Sequence, residues 1–101
     1  MIYSLKQKMS KEELADFCRR NNICKLSIFG SSIRDQLQPD SDIDVLVEFE
    51  RNHTPGLFSI IKMEIELSEA LGRKVDLRTP EDLSRYFRDE VVNNAQVQYQ
   101  S

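Results

Sequence analysis

Apolar residues recur along this chain at two different spacings, and each spacing predicts one kind of element. Runs rich in β-branched and aromatic residues predict strands at Lys25–Phe29 and Asp42–Phe49. A third run, Lys74–Thr79, alternates strictly and places Val75 and Leu77 on one face. We therefore expect three strands whose apolar faces pack against helices.

Helical spacing predicts two longer helices. The first begins at Ser10, where Glu13 completes a capping box, and it ends at Asn21-Asn22. The second spans Leu57–Leu71, carries a broad apolar stripe and ends at Gly72. Both helices have one apolar side that a sheet can cover.

The C-terminal part of the chain is predicted to be helical and then irregular. Thr79 caps a helical piece that has Pro80 at its first position and Asp82 to close the cap. The last helix is predicted at Ser84–Ala95. The polar segment Gln96–Ser101 is expected to fray.

These elements predict an α/β (α+β) fold, a small mixed β-sheet with helices packed on one face and carboxylates on the other. The 101 residues suffice for a single domain, with its core at about residues 10–97. No apolar run reaches the length of a membrane span, and no signal peptide precedes the domain, so we expect a cytoplasmic location. A net charge of −3 argues against direct binding to nucleic acid. Cys18 and Cys24 fit no common zinc or redox spacing and are predicted to be free thiols.

Candidate chemistry is concentrated at the ends of the strands. Asp42 and Asp44 are two residues apart on one strand, so their carboxylates point to the same face and repel each other. Asp76 faces away from its apolar neighbours in the same way. Carboxylates without His or Cys beside them suit a hard cation such as Mg²⁺. Gly30-Ser31, before a predicted short helix Ser32–Leu37, suits the binding of a phosphate.

The chain resembles the nucleotidyltransferases of the DNA polymerase beta type on these residues. Gly30-Ser31, ten intervening residues and Asp42-x-Asp44 match the signature of that superfamily. The short length and the later stretch that begins at Gly72 and contains Asp76 resemble the minimal nucleotidyltransferases, which are the antitoxins of HEPN/MNT toxin–antitoxin pairs. The resemblance extends from about Lys11 to Tyr99.

The resemblance implies a reaction and a set of roles. Asp42 and Asp44 would bridge two Mg²⁺ ions, and Asp76 would complete the site of the ion that activates the incoming hydroxyl. Gly30 and Ser31 would hold the β- and γ-phosphates of ATP, and Arg34 would add a contact to the leaving pyrophosphate. The implied product is an AMP group on a hydroxyl, with tyrosine of a HEPN ribonuclease toxin as the expected acceptor.

The same residues also have simpler interpretations. Asp42 and Asp44 could be solvated residues of a strand end, and Asp76 could form exposed ion pairs. Ser31 could be merely a helix cap, and Arg34 could be solvated. The family often has Arg and Gly where this chain has Ser32 and Asp35, which bears on phosphate affinity and on the turn.

Other polar residues are predicted to have no catalytic role. An EF-hand beginning at Asp40 is excluded because Val45 and Arg51 stand where Gly and Glu are required. His53 is predicted to be solvated. Three glutamates of the second predicted helix are expected on its wet face: Glu64, Glu66 and Glu69.

Two further functions remain as alternatives. One is an antitoxin that neutralises its partner by binding alone. The other is nucleotidyl transfer to a small molecule, which normally requires an additional acceptor-binding domain. The sequence leaves the identity of the partner and of the acceptor open. The chemistry follows from the motif residues, whereas the toxin partner follows only from the resemblance.

Overall fold

The computed structural model describes residues 8–30, 42–86 and 88–101. A short 3₁₀ helix, Pro80–Asp82, follows the third strand. The other elements, in chain order, are α1 (Lys11–Arg20), β1 (Ile23–Phe29), β2 (Ile43–Phe49), α2 (Leu57–Leu71), β3 (Val75–Arg78), α3 (Arg88–Asn94) and β4 (Gln96–Gln100). The short helix predicted at Ser32–Leu37 lies outside the described residues.

The boundaries of α1 and α2 confirm the predicted start and stop signals. At the start of α1, the Ser10 hydroxyl accepts a hydrogen bond from the backbone N–H of Glu13 at 3.1 Å. The Glu13 carboxylate accepts one from the backbone N–H of Ser10 at 3.3 Å, which completes the capping box. At the end of α2, Gly72 adopts φ = 70°, a left-handed conformation in which a Cβ is unfavourable.

Four strands in the described part of the chain form one mixed sheet in the order β3-β2-β1-β4. β1 is antiparallel to both β2 and β4, whereas β3 is parallel to β2. The parallel pair is connected through α2, because a parallel neighbour requires a crossover that returns the chain to the same edge. The predicted fold class, with a small mixed sheet and packed helices, is confirmed.

Both long helices pack on the same face of the sheet. The core contains the apolar side chains of α1 and α2, and alternate residues of the strands. Its members include Leu14, Phe17, Met63, Leu67, Leu71, Leu26, Ile28, Ile43, Val45, Val47, Val75 and Leu77. Since successive strand residues point to opposite faces, the residues between them, including Asp44 and Asp76, lie on the other face.

The face that carries the carboxylates is only partly open to solvent. Ser27 and Leu46 are neighbours on β1 and β2 and are 1% and 2% exposed. The carboxylate of Asp44, on the same face, is half-buried. This environment raises the cost of an uncompensated charge.

The C-terminal segment differs from its prediction. Gln96–Gln100 does not fray but pairs with β1, with Lys25 opposite Gln100. The backbone N–H of Ser101 also donates to the Cys24 carbonyl at 2.9 Å. The partly buried Tyr99 packs against the core, so this polar segment gains an aromatic contact and backbone hydrogen bonds that its composition alone does not reveal.

The last helix is shorter than predicted. It begins at Arg88 rather than Ser84. The Ser84 hydroxyl accepts a hydrogen bond from the backbone N–H of Tyr86, a local turn that competes with helix formation. Cys18 and Cys24 are free thiols, as predicted. No helix among the described residues is long and apolar enough to cross a membrane.

Two phenylalanines in helices provide a test of this packing. Phe17 in α1 is 0% exposed and Phe58 in α2 is 81% exposed. We expect Phe17→Ala to lower the free energy of unfolding by about 3–5 kcal/mol, because it opens a cavity under the sheet. Phe58→Ala should change it by no more than about 0.5 kcal/mol. Urea denaturation followed by circular dichroism measures both, and equal losses would contradict the packing described.

Candidate active site

The parallel pairing of β2 with β3 brings two carboxylates side by side. The register places Asp44 directly opposite Asp76. The backbone N–H of Ile43 donates to the Lys74 carbonyl at 2.9 Å, which fixes this register where the strands begin. Two strands that are separated by a whole helix in the sequence therefore present their acidic residues as immediate neighbours on one face.

Cationic side chains flank this pair. Asp42 directly precedes β2, and its Oδ2 lies 3.9 Å from Nζ of Lys74. Oδ2 of Asp76 lies 3.1 Å from a guanidinium nitrogen of Arg78. Within the described ranges, no three His, Cys, Asp or Glu side chains have the arrangement of a finished metal centre. The two outer carboxylates instead contact cations of the protein.

Asp44 occupies the centre of the group and carries the electrostatic cost. Burial is the largest cause that raises its pKa. The charges of Asp76 and Asp42 raise that pKa further, in this order. Arg78 opposes the rise. A bound divalent cation would compensate for both the desolvation and the mutual repulsion of the carboxylates.

The donor set fits a magnesium ion. All three side chains offer carboxylate oxygens, which hard cations prefer, and no imidazole or thiolate competes within the group. Asp42, Asp44 and Asp76 are the residues that would hold it. The physical argument for this site is the half-buried, crowded Asp44 at the centre of the group.

Gly30 connects the first half of the sequence motif to these carboxylates. It follows Phe29, which pairs with Asp44 across the β1–β2 ladder. Its φ is 65°, and a Cβ at this position would lie 2.6 Å from Oδ2 of Asp44. Only glycine satisfies both constraints without displacing the Asp44 carboxylate.

The structure thus places Gly30 and Asp76 next to Asp44, and it places Asp42 close enough for its charge to raise the pKa of Asp44. Ser31 and Arg34, the other predicted phosphate ligands, lie outside the described residues. His53 is exposed, in agreement with its prediction.

The sequence prediction for Glu64 is wrong. This side chain does not belong to the wet face of α2, because its Oε2 accepts a hydrogen bond from the backbone N–H of Leu77 in β3 at 2.8 Å. Ser68 binds β3 similarly and was not singled out from the sequence. Their spacing of four residues was the available signal, but it does not indicate which strand a helix contacts.

Comparison with known proteins agrees with this geometry. The chain belongs to the nucleotidyltransferase domain family, which matches residues 11–98. A candidate protein adenylyltransferase of Methanocaldococcus jannaschii is 32% identical over 85 residues, which cover 84% of this chain and 89% of the relative. The prediction that the chain is a nucleotidyltransferase is confirmed.

Solved structures share the fold. A candidate minimal nucleotidyltransferase superimposes with a TM-score of 0.73 and 29% identity, over 91% of this chain and 93% of the other. A chain from the complex of a tri-AMPylated HEPN toxin of Shewanella oneidensis with an MNT antitoxin superimposes with a TM-score of 0.64. The identity to this second chain is 22%, and the match covers 90% of this chain and 70% of the other. At that identity the likeness shows the fold alone.

Two glycines with positive φ test the contact at Asp44. Gly30→Ala and Gly72→Ala both introduce a Cβ at a left-handed residue, which costs about 1–2 kcal/mol in either case. Only the Cβ at position 30 would meet another atom within 4 Å. We expect Gly30→Ala to reduce nucleotidyl transfer strongly, whereas Gly72→Ala should lower only the free energy of unfolding. Equal transfer rates for the two variants would show that Asp44 tolerates the added methyl group.

Proposed function

We propose that this chain transfers AMP from ATP to a tyrosine hydroxyl of a HEPN ribonuclease toxin, depends on Mg²⁺, and thereby acts as an antitoxin. The observation that carries the proposal is the half-buried Asp44, which lies beside Asp76 and Gly30 and two residues after Asp42. The similarity to a candidate protein adenylyltransferase supports a protein acceptor. The shared fold with a chain from a toxin–antitoxin complex in which the toxin carries AMP is consistent with it.

The proposed reaction is an in-line displacement at the α-phosphorus of ATP. A bond forms between the acceptor oxygen and that phosphorus, the bond to the bridging oxygen of the β-phosphate breaks, and pyrophosphate leaves. Metal ions bound by the carboxylates would stabilise charge on the attacking and leaving oxygens.

The residues of the chain have distinct roles in this scheme. Asp42, directly before β2, and Asp44, within β2, would hold the metal. Asp76, on the neighbouring strand, would complete the metal site at the attacking hydroxyl and take the proton of that hydroxyl. Gly30 lets the backbone approach the triphosphate closely, while Ser31 and Arg34 bind its β- and γ-phosphates.

An acceptor on another protein suits the shape of this region. The side chains of Asp42 and Asp76 are 47% and 32% exposed. An open groove of about 430 Å³ runs from Asp76 between β3 and α2, lined in part by Ile61, Ile65 and Lys74. An open groove does not enclose a small acceptor, whereas it accommodates a side chain presented on a protein surface.

The transfer itself is testable with labelled ATP. The full chain is incubated with Mg²⁺, a HEPN-type toxin and ATP labelled at the α-phosphate. We expect the toxin to become labelled. With ATP labelled at the γ-phosphate instead, the toxin should remain unlabelled. Asp42→Asn combined with Asp44→Asn should reduce the rate by at least about a thousandfold, because it removes the central metal ligands.

Asp16→Asn is the matched control for this double variant. Asp16 is exposed and pairs with Arg20 on α1, far from the sheet face that carries the carboxylates. The rate of AMP transfer by Asp16→Asn should equal that of the wild type. Persistent transfer of AMP by the double variant would refute the assignment of the site.

Neutralisation by binding alone is a second candidate, favoured by one observation. The outer side of α2 exposes four large apolar residues that helical spacing places together, namely Leu57, Phe58, Ile61 and Ile65. Exposed apolar patches of this kind mark protein–protein contacts. The groove that reaches Asp76 begins on the same helix, so a toxin bound there would also lie beside the carboxylates.

Phe58→Ser separates binding from catalysis. Because Phe58 is exposed, we expect the fold to persist and the complex with the toxin to weaken at least about tenfold, as is typical for an aromatic interface residue. Size-exclusion chromatography and titration calorimetry measure this. If Asp42→Asn with Asp44→Asn still protects cells while Phe58→Ser does not, neutralisation proceeds by binding. The reverse pattern would establish catalysis as the route.

A further inference from the structure

β3 is an edge strand, yet α2 occupies its outer side. In the part of the chain that the structure describes, β3 pairs with β2 on one side only. The backbone N–H groups of Val75 and Leu77 are directed away from β2. The N–H of Val75 donates to Oγ of Ser68 at 2.9 Å, and that of Leu77 donates to Oε2 of Glu64 at 2.8 Å. Two side chains of a helix thus replace the missing neighbouring strand.

The two hydrogen bonds lie on either side of Asp76. Glu64 and Ser68 are four residues apart and therefore project from the same side of α2. They contact the residue before Asp76 and the residue after it. On its other side β3 is held by the ladder to β2, in which Asp76 is opposite Asp44. The backbone that carries Asp76 is consequently fixed from both sides.

Edge protection alone explains one part of this arrangement. Exposed strand edges invite aggregation, and covering them prevents it. The outward N–H groups of this four-residue strand are those of Val75 and Leu77, so the two caps lie on either side of Asp76, the one carboxylate of β3. The caps therefore also hold the backbone that carries this carboxylate.

We propose that Glu64 and Ser68 are positioning residues for Asp76, fixing the backbone on both sides of it so that its carboxylate stays beside that of Asp44. The inference rests on the proposed function, because it assumes that Asp76 is a metal ligand. Glu64 acts here through a hydrogen bond that its Oε2 accepts and not through its charge. Second ligand shells of this type commonly alter metal affinity when they are removed.

The affinity of the full chain for Mn²⁺ alone tests this role directly. It is measured from the electron paramagnetic resonance signal of the unbound ion. Glu64→Leu removes the acceptor and should weaken Mn²⁺ binding on the order of tenfold. Glu64→Gln keeps an acceptor oxygen without the charge and should bind nearly as well as the wild type. Ser68→Ala should weaken binding in the same direction as Glu64→Leu.

Glu66→Leu is the matched control. Glu66 is on the same helix and pairs with Arg20 of α1 instead of β3. Its loss should leave Mn²⁺ binding unchanged. The positioning role is refuted if Glu64→Leu and Glu66→Leu weaken Mn²⁺ binding equally. It is also refuted if Glu64→Gln weakens Mn²⁺ binding as much as Glu64→Leu does.

A double-mutant cycle distinguishes positioning from a general effect on stability. In an Asp76→Asn background, Glu64→Leu should cause no further loss of Mn²⁺ affinity, because the residue acts through Asp76. An additional loss of the full size would overturn the inference while the metal site stands. If Asp76→Asn itself leaves binding unchanged, or the wild type binds no Mn²⁺, the assigned role of Asp76 in the proposed function fails, and the inference with it.

Discussion

Parallel pairing between β2 and β3 determines the chemistry that this chain can perform. It places Asp44 opposite Asp76, so that carboxylates from two separate stretches of sequence become neighbours. Because α2 connects these strands and packs on the apolar face, the same connection that buries the core also directs the acidic residues outward. Stability and function thus use opposite faces of the same strands.

The cost of this arrangement is concentrated at Asp44. Its carboxylate is half-buried and close to those of Asp76 and Asp42. Burial and repulsion by these charges both raise the pKa of Asp44. Lys74 pairs with Asp42, and Arg78 pairs with Asp76. Gly30 adds a steric constraint, since its missing side chain leaves room for the Asp44 carboxylate. A cation-binding role gives a physical reason for retaining such a group, which a purely structural role does not.

The surroundings of the site are consistent with the proposed protein acceptor. The exposed apolar residues of α2 continue into the groove that ends at Asp76. One helix therefore contributes Met63, Leu67 and Leu71 to the core, and Glu64 and Ser68 to the edge of β3. Its exposed apolar residues lie on the open surface. Three different tasks are divided among the sides of a single helix.

Local patterns in the amino-acid sequence predict most of the elements and single out the residues proposed for the site. Capping at Ser10, the stop at Gly72 and strict alternation around Asp76 are local signals, and the structure agrees with all three. The spacing from Gly30 to Asp42 and Asp44 also identified the family. Other features of the fold depend on contacts between segments that are far apart in the sequence. Two examples are the pairing of Gln96–Gln100 with β1 and the hydrogen bond from Leu77 to Glu64. Neither has a local sequence pattern, because each depends on a partner in another element.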